Sequence, residues 1–77
     1  MKITRICNNA FYIDRTAENG TYEIYSYETL VAVYSIETKK VIRKWSGHSK
    51  TTTSHVNKFC DKIGINPIKW NDLECDF

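Results

Sequence analysis

The stretch of residues 21–45 constrains the fold most strongly, because its apolar side chains recur with the period of a β-strand. Residues 21–27 alternate between apolar and polar side chains, and residues 30–36 are apolar on both faces, as in a central strand. After a polar connection, residues 41–45 alternate again. This pattern predicts a meander of antiparallel strands.

Two weaker strand signals precede this stretch. Residues 2–7 alternate, and residues 11–13 form a short run of β-prone side chains. Asn8-Asn9 between them reads as a turn, and Asn19-Gly20 is the strongest turn signal in the chain because both residues tolerate positive φ. Together these segments predict an antiparallel sheet of three to five strands.

A single helix is predicted to begin at residue 50 or 51 and to end at residue 63. Its apolar residues fall at i, i+3, i+4 and i+7, namely Val56, Phe59, Cys60 and Ile63. Ser49 or one of the threonines 51–53 can cap the start, and Gly64 supplies a left-handed stop. The expected fold class is therefore α+β, with the helix packed on one face of the sheet. The 77 residues are long enough for a single domain, residues 1–77, and too few for a second core.

Charge is segregated along the chain. Residues 39–69 hold eight cationic side chains and one acid. Residues 1–38 hold three cations and five acids, and residues 70–77 hold three acids and no cation. Segregation of this kind produces a directional electrostatic field that can steer a partner. The basic segment is therefore the strongest indication of a binding surface.

Six cations of this segment are the predicted binding residues. They are Lys39, Lys40, Arg43, Lys44, Lys58 and Lys62. On a hairpin and the outer side of a helix they could follow a phosphate backbone, with nearby tyrosines available to stack on bases. The same residues could bind an acidic surface of a host protein, or they could simply form a solvated helix face and guard an edge strand.

The other chemistry-bearing residues do not predict a catalytic or metal site. Four residues invite a zinc interpretation: His48, His55, Cys60 and Cys75. Their spacings do not match those of structural zinc sites, so no metal is expected. We find neither a nucleophile signature nor paired carboxylates, and therefore expect no enzymatic activity and no cofactor. Three cysteines without a pairing pattern fit a reducing compartment and predict a cytoplasmic location.

Two short motifs resemble a known group of sequences. Residues 26–32 read Ser-Tyr-Glu-Thr-Leu-Val-Ala, and residues 49–55 read Ser-Lys-Thr-Thr-Thr-Ser-His. They resemble short uncharacterised proteins of phages, prophages and plasmids in low-GC Gram-positive bacteria, which carry an SY-x-T-x-VA strand and a TTS-x-H helix start. Here the histidine follows Ser54 directly, without an intervening residue. The resemblance implies a mobile-element origin, and small proteins of such elements often look like anti-defence proteins, including inhibitors of CRISPR effectors.

These observations support one leading hypothesis and two alternatives. The chain is expected to be a non-enzymatic mobile-element protein that binds and inhibits a host nucleic-acid-handling protein complex, with a CRISPR effector as one candidate. Alternatively, it is a small nucleic-acid-binding accessory protein that uses the basic segment 39–69. The third hypothesis is a homo-oligomer, such as a homodimer, with Trp70 or Phe77 at the subunit contact. The expected partners are thus a host protein or ribonucleoprotein complex, or nucleic acid, and not a membrane.

Overall fold

The computed structural model describes residues 2–47, 49–66 and 69–75, with the exception of the Asn71 side chain. Within these residues it contains a six-stranded sheet and one α-helix, so the predicted α+β class with a single helix is confirmed. No helix in the described part of the chain is long and apolar enough to cross a bilayer. The elements are β1 (Lys2–Cys7), β2 (Ala10–Arg15), β3 (Thr21–Ser26), β4 (Thr29–Ser35), β5 (Lys40–Arg43), α1 (Lys50–Ile63), a 3-10 turn (Trp70–Asp72) and β6 (Glu74–Cys75).

The strands of the sheet follow chain order. The first five form an antiparallel meander, which includes the one predicted for residues 21–45 and extends it by β1 and β2. The expectation of three to five strands, all antiparallel, is too narrow, because the C-terminal segment adds β6 parallel to β5, with Glu74 opposite Ile42. A strand of two residues has no alternation that a sequence pattern could detect. Its parallel pairing also depends on a long crossover, which α1 and the following loop supply.

Side chains alternate between a face that α1 covers and a face that is open. One row on the covered face consists of Tyr12, Ile24, Ala32 and Arg43. The neighbouring row on the open face consists of Ile3, Ile13, Glu23, Val33 and Ile42. The helix contacts β1 and β3 most closely. The hydrophobic core therefore lies between α1 and one side of the sheet.

The local sequence fixes both ends of α1. At the start, the Ser49 hydroxyl accepts a hydrogen bond from the Thr52 backbone N–H at 3.3 Å. At the end, Gly64 has a φ of 79°, and the Ile65 N–H donates to the Cys60 carbonyl at 2.9 Å. This is a left-handed cap of the kind that glycine favours. Both predicted caps are confirmed.

Phe59 lies at the centre of the core and is fully buried. Three tyrosine rings surround it, with centroid distances of 5.2 Å to Tyr12, 5.7 Å to Tyr22 and 6.1 Å to Tyr34. All three contacts are edge-to-face, an arrangement that aromatic rings prefer. The tyrosines come from β2, β3 and β4, so Phe59 connects the helix to the three central strands.

The chain leaves the sheet after Arg43, two residues before the predicted end of this strand at Trp45. The Trp45 ring packs on Trp70 instead, with centroids 6.4 Å apart. The Trp70 indole N–H donates to the Gly47 carbonyl at 2.9 Å, and the Arg43 guanidinium lies 4.6 Å above the Trp70 ring. Trp70 is thus a core residue, 3% exposed, and offers no surface for the predicted subunit contact. The other residue of that prediction, Phe77, lies outside the described residues.

Candidate binding site

The six predicted binding cations fall into two groups. Lys58 and Lys62 are exposed on α1, four residues apart and therefore on one side of the helix. The other four lie on or beside β5, and they are Lys39, Lys40, Arg43 and Lys44. The structure therefore divides the predicted set between two elements.

Lys40 and Arg43 of the β5 group form contacts within the molecule that limit their use in binding. The Lys40 ammonium lies 3.2 Å from a carboxylate oxygen of Glu74, an exposed ion pair across β5 and β6. The Arg43 guanidinium donates to three backbone carbonyls of the following loop at 3.3–3.4 Å, so it anchors that loop. Lys39, in the β4–β5 turn, and Lys44, directly after β5, are exposed.

The hairpin between β3 and β4 has a strained two-residue tip. Tyr27 and Glu28 have φ values of 51° and 70°, the left-handed conformation that a type I′ turn requires. Gly and Asn usually occupy such positions, because a larger side chain clashes with its own backbone there. The Tyr27 N–H donates to the Asn9 carbonyl at 2.8 Å, which joins this tip to the β1–β2 turn. The Tyr27 side chain is 57% exposed.

Glu28→Gly is expected to stabilise the protein by about 0.5–1 kcal/mol. Glycine relieves left-handed strain of about 1–2 kcal/mol, and the greater freedom of the unfolded chain offsets part of that gain. Urea denaturation followed by circular dichroism measures the change. The control is Glu37→Gly in the β4–β5 turn, where the glutamate is exposed and has no positive φ. Equal losses of stability in the two variants would show that the tip is not strained.

An open cleft of about 460 Å³ lies between this hairpin tip and α1. We call it the hairpin–helix cleft, and its lining consists of Cys7, Asn8, Tyr27, Lys50, Thr51, Ser54, His55 and Lys58. The helix contributes Lys50, Ser54 and Lys58 at intervals of four residues, which places them along one side of α1. No carboxylate is among the lining residues, so the cleft is electropositive.

His55 connects the cleft to the sheet. It is 4% exposed, and its Nδ1 lies 2.8 Å from the Ser26 hydroxyl. That hydroxyl lies in turn 3.4 Å from the Thr52 hydroxyl, so hydrogen bonds link three buried polar side chains. Burial and, secondarily, the positive charge of Lys58 lower the pKa of His55. The imidazole is therefore neutral at physiological pH.

Sequence reasoning did not single out this buried cluster, although a signal is present. Ser26 has the same parity as the buried residue Ile24 of β3, so it falls on the covered face. On α1, Thr52 and His55 precede other buried residues by one helical turn. Polar side chains at positions that periodicity assigns to the core indicate a buried hydrogen-bond network.

Comparison with known proteins places the chain in a family. A family of unknown function, DUF8033, matches residues 1–73. The chain belongs to this family. The matching region contains the first five strands, α1 and every residue that lines the hairpin–helix cleft. No curated protein and no solved structure matches the chain.

The open face of the sheet in this DUF8033 protein is largely apolar. Ile3 is 60% exposed, and the rings of Phe11 and Tyr25 stack with their centroids 4.9 Å apart. An ion pair lies on the same face, because Nε of Arg15 is 2.8 Å from a carboxylate oxygen of Glu23. Antiparallel sheets commonly leave one face in water, so this face does not by itself require a partner.

The four residues that invite a zinc interpretation are dispersed in the structure. His55 and Cys60 are buried on α1, Cys75 is exposed in β6, and His48 lies outside the described residues. Burial raises the pKa of the Cys60 thiol, with a smaller effect from Asp61, so this thiol stays protonated. Among the described residues, no three His, Cys, Asp or Glu side chains are grouped so that they could hold a metal ion.

Proposed function

We propose that this protein is a non-enzymatic product of a mobile element that binds and inhibits a host nucleic-acid-handling complex in the cytoplasm, with a CRISPR effector as one candidate. The unpaired lysines of α1 carry the proposal. Lys50, Lys58 and Lys62 are exposed, and no carboxylate of the described residues forms an ion pair with them. Their charge is therefore available to attract a negatively charged partner surface.

The use of arginine favours a protein surface as the immediate partner. Arg15 forms ion pairs with Glu18 and Glu23, and Arg43 is bound to backbone carbonyls. Arginine is the preferred reader of base edges, because its planar fork matches two acceptors at once. With these arginines engaged internally, the exposed lysines offer point charges that suit an acidic protein surface.

The burial of Ser26 supports a binding role over catalysis. Its hydroxyl and the His55 ring have the spacing of a nucleophile and a base. The Ser26 side chain is nevertheless only 3% exposed and also contacts the Thr52 hydroxyl. A substrate carbonyl could not reach this oxygen without separating α1 from the sheet. The pair is accordingly a structural connection between helix and strand.

The double variant Lys58→Glu/Lys62→Glu is expected to weaken the host complex by at least about tenfold while leaving the fold intact. Like charges placed against an acidic surface cost several kcal/mol, and both side chains are exposed in the free protein. The measurement is a pull-down from the host with the tagged full chain, with and without nuclease, followed by affinity measurement with the isolated partner. Circular dichroism confirms that the variant is folded.

The matched control is Lys2→Glu/Arg5→Glu, which reverses the same amount of charge on the edge strand β1. This control is expected to change affinity by less than about threefold, through the long-range field alone. Lys39→Glu/Lys44→Glu tests the group beside β5 in the same way. If the α1 double variant binds as tightly as the control, the lysines of α1 are not the interface.

Direct nucleic-acid binding is the second candidate, and the position of Tyr27 favours it. This exposed ring borders a cleft that also contains Lys50 and Lys58, which is the combination that single-stranded nucleic acids bind. In the pull-down, a set of partners that disappears with nuclease would support this candidate. A protein partner that survives nuclease would support the inhibitor proposal.

A further inference from the structure

We infer that the hairpin–helix cleft binds the phosphate group of a nucleotide, with Lys50 and Lys58 on the anion and Tyr27 against the base. This inference shares Lys50 and Lys58 with the surface of the proposed function, but it is tested separately, because small phosphate probes report on the cleft whether or not the helix lysines bind a host protein. Among the residues of this site, only Lys58 belongs to the six cations that the sequence predicts to bind a partner.

The donors of the cleft match a phosphate better than a carboxylate. Two lysines line the cleft, and the same helix adds Thr51 and Ser54, whose side chains carry hydroxyls. A carboxylate offers two oxygens, whereas a phosphate offers three or four and carries more negative charge. A group with more acceptors can bind all of these donors at once. The absence of carboxylates from the lining removes the repulsion that a dianion would otherwise meet.

His55 adds a donor that the interior holds in place. Its Nδ1 faces Ser26, and none of the described residues forms a hydrogen bond with Nε2. When the Ser26 hydroxyl donates to Nδ1, the proton of the neutral ring resides on Nε2. The ring is more than nine-tenths buried and also lines the cleft, so in this tautomer Nε2–H is available to an anion there. The hydrogen bond at Nδ1 and the burial of the ring restrict its orientation, so a donor at Nε2 would be held in place.

Tyr27 supplies the surface for the base. Its ring is 57% exposed and lies 5.8 Å from the His55 ring, tilted by 47°. The left-handed backbone and the hydrogen bond from its N–H to Asn9 fix the main chain of Tyr27 at the hairpin tip, from which the ring extends toward the cleft. Stacking of a base on an aromatic ring stabilises a complex whatever the base, because every base has a π-face. The strain at the tip is consistent with a side chain retained for binding.

The test is an NMR titration of the full chain at constant ionic strength with inorganic phosphate, adenosine monophosphate and a short oligothymidylate. The His55 ring signals and the amide signals of Ser54 and Lys58 are expected to shift and saturate with each probe. Lys58→Gln should weaken binding of all three probes about tenfold, as expected for loss of one charge-assisted hydrogen bond. The control Lys69→Gln removes the same charge outside the cleft and should weaken binding less than about twofold.

Tyr27→Asn separates the two halves of the inference, because asparagine accepts the positive φ but lacks the ring. It should weaken binding of the two nucleotide probes and leave inorganic phosphate unaffected. If the protein binds oligothymidylate at least about tenfold more tightly than adenosine monophosphate, nucleic acid is the source of the phosphate. Equal affinities for the two probes would identify a free nucleotide. The inference would be overturned if the NMR signals of the cleft residues do not shift, or if Lys58→Gln and Lys69→Gln lose the same affinity. It would also be overturned if sodium glutamate shifts these signals as strongly as phosphate does.

Discussion

Phe59→Ala is expected to lower the free energy of unfolding by about 3–5 kcal/mol, which is a large fraction of the total stability of a domain this small. A domain of this length has a total stability of roughly 4–12 kcal/mol. Phe59 is fully buried among the rings of Tyr12, Tyr22 and Tyr34, so its removal leaves a cavity that three side chains from three different strands cannot close. Urea denaturation followed by circular dichroism measures the loss.

Two controls accompany this variant. Phe59→Leu retains most of the volume and should cost about 1–2 kcal/mol. Ile3→Ala removes an exposed side chain from the open face and should change stability by less than about 0.5 kcal/mol. A loss for Phe59→Ala no larger than that for Ile3→Ala would contradict the position of Phe59 at the centre of the core.

Arg43→Ala is expected to cost about 2–3 kcal/mol and to alter the tryptophan fluorescence. The guanidinium lies above the Trp70 ring and donates to carbonyls of the loop after β5, so its loss exposes the ring and leaves those acceptors to water. Urea denaturation gives the stability change. The fluorescence emission of Trp45 and Trp70 reports the local structural change, because the two rings are in contact beside Arg43.

Arg43→Lys tests whether shape or charge matters at this position. Lysine keeps the charge but not the planar fork, so most of the loss should remain. Lys44→Ala, at the adjacent exposed position, should change stability by less than about 0.5 kcal/mol. If Arg43→Ala left both stability and fluorescence unchanged but impaired partner binding, the original assignment of Arg43 to a binding surface would be supported.

Local patterns in the sequence were sufficient for most of the fold. Alternation and runs of β-prone side chains predicted an antiparallel sheet of three to five strands, and five antiparallel strands are present. The side chain of Ser49 and the positive φ of Gly64 bounded α1 as expected. The end of β5 was wrong by two residues, because Trp45 packs on Trp70, a residue distant in sequence. β6 was missed for the same reason. Both errors come from contacts between the C-terminal segment and the sheet, which no local pattern encodes.

The candidate site was less predictable than the fold. Charge counting drew attention to residues 39–69, and it included Lys58 of the cleft. It also included Arg43, because a count of charges does not distinguish a cation in solvent from one that holds a loop in place. Tyr27 and His55 come together only through the β3–β4 turn and the packing of α1, so their juxtaposition required the structure.

The parallel pairing of β6 with β5 sets an order of assembly. Every other strand pair joins neighbours along the chain, so the meander has low contact order and can form from local hairpins. The β5–β6 pair instead closes a loop that contains all of α1, and its entropy cost is repaid only after the helix has docked. Residues 69–75 should therefore join last and open first in hydrogen exchange. Such an opening would uncover Trp70 but leave the hairpin–helix cleft intact, since no residue of this segment lines it.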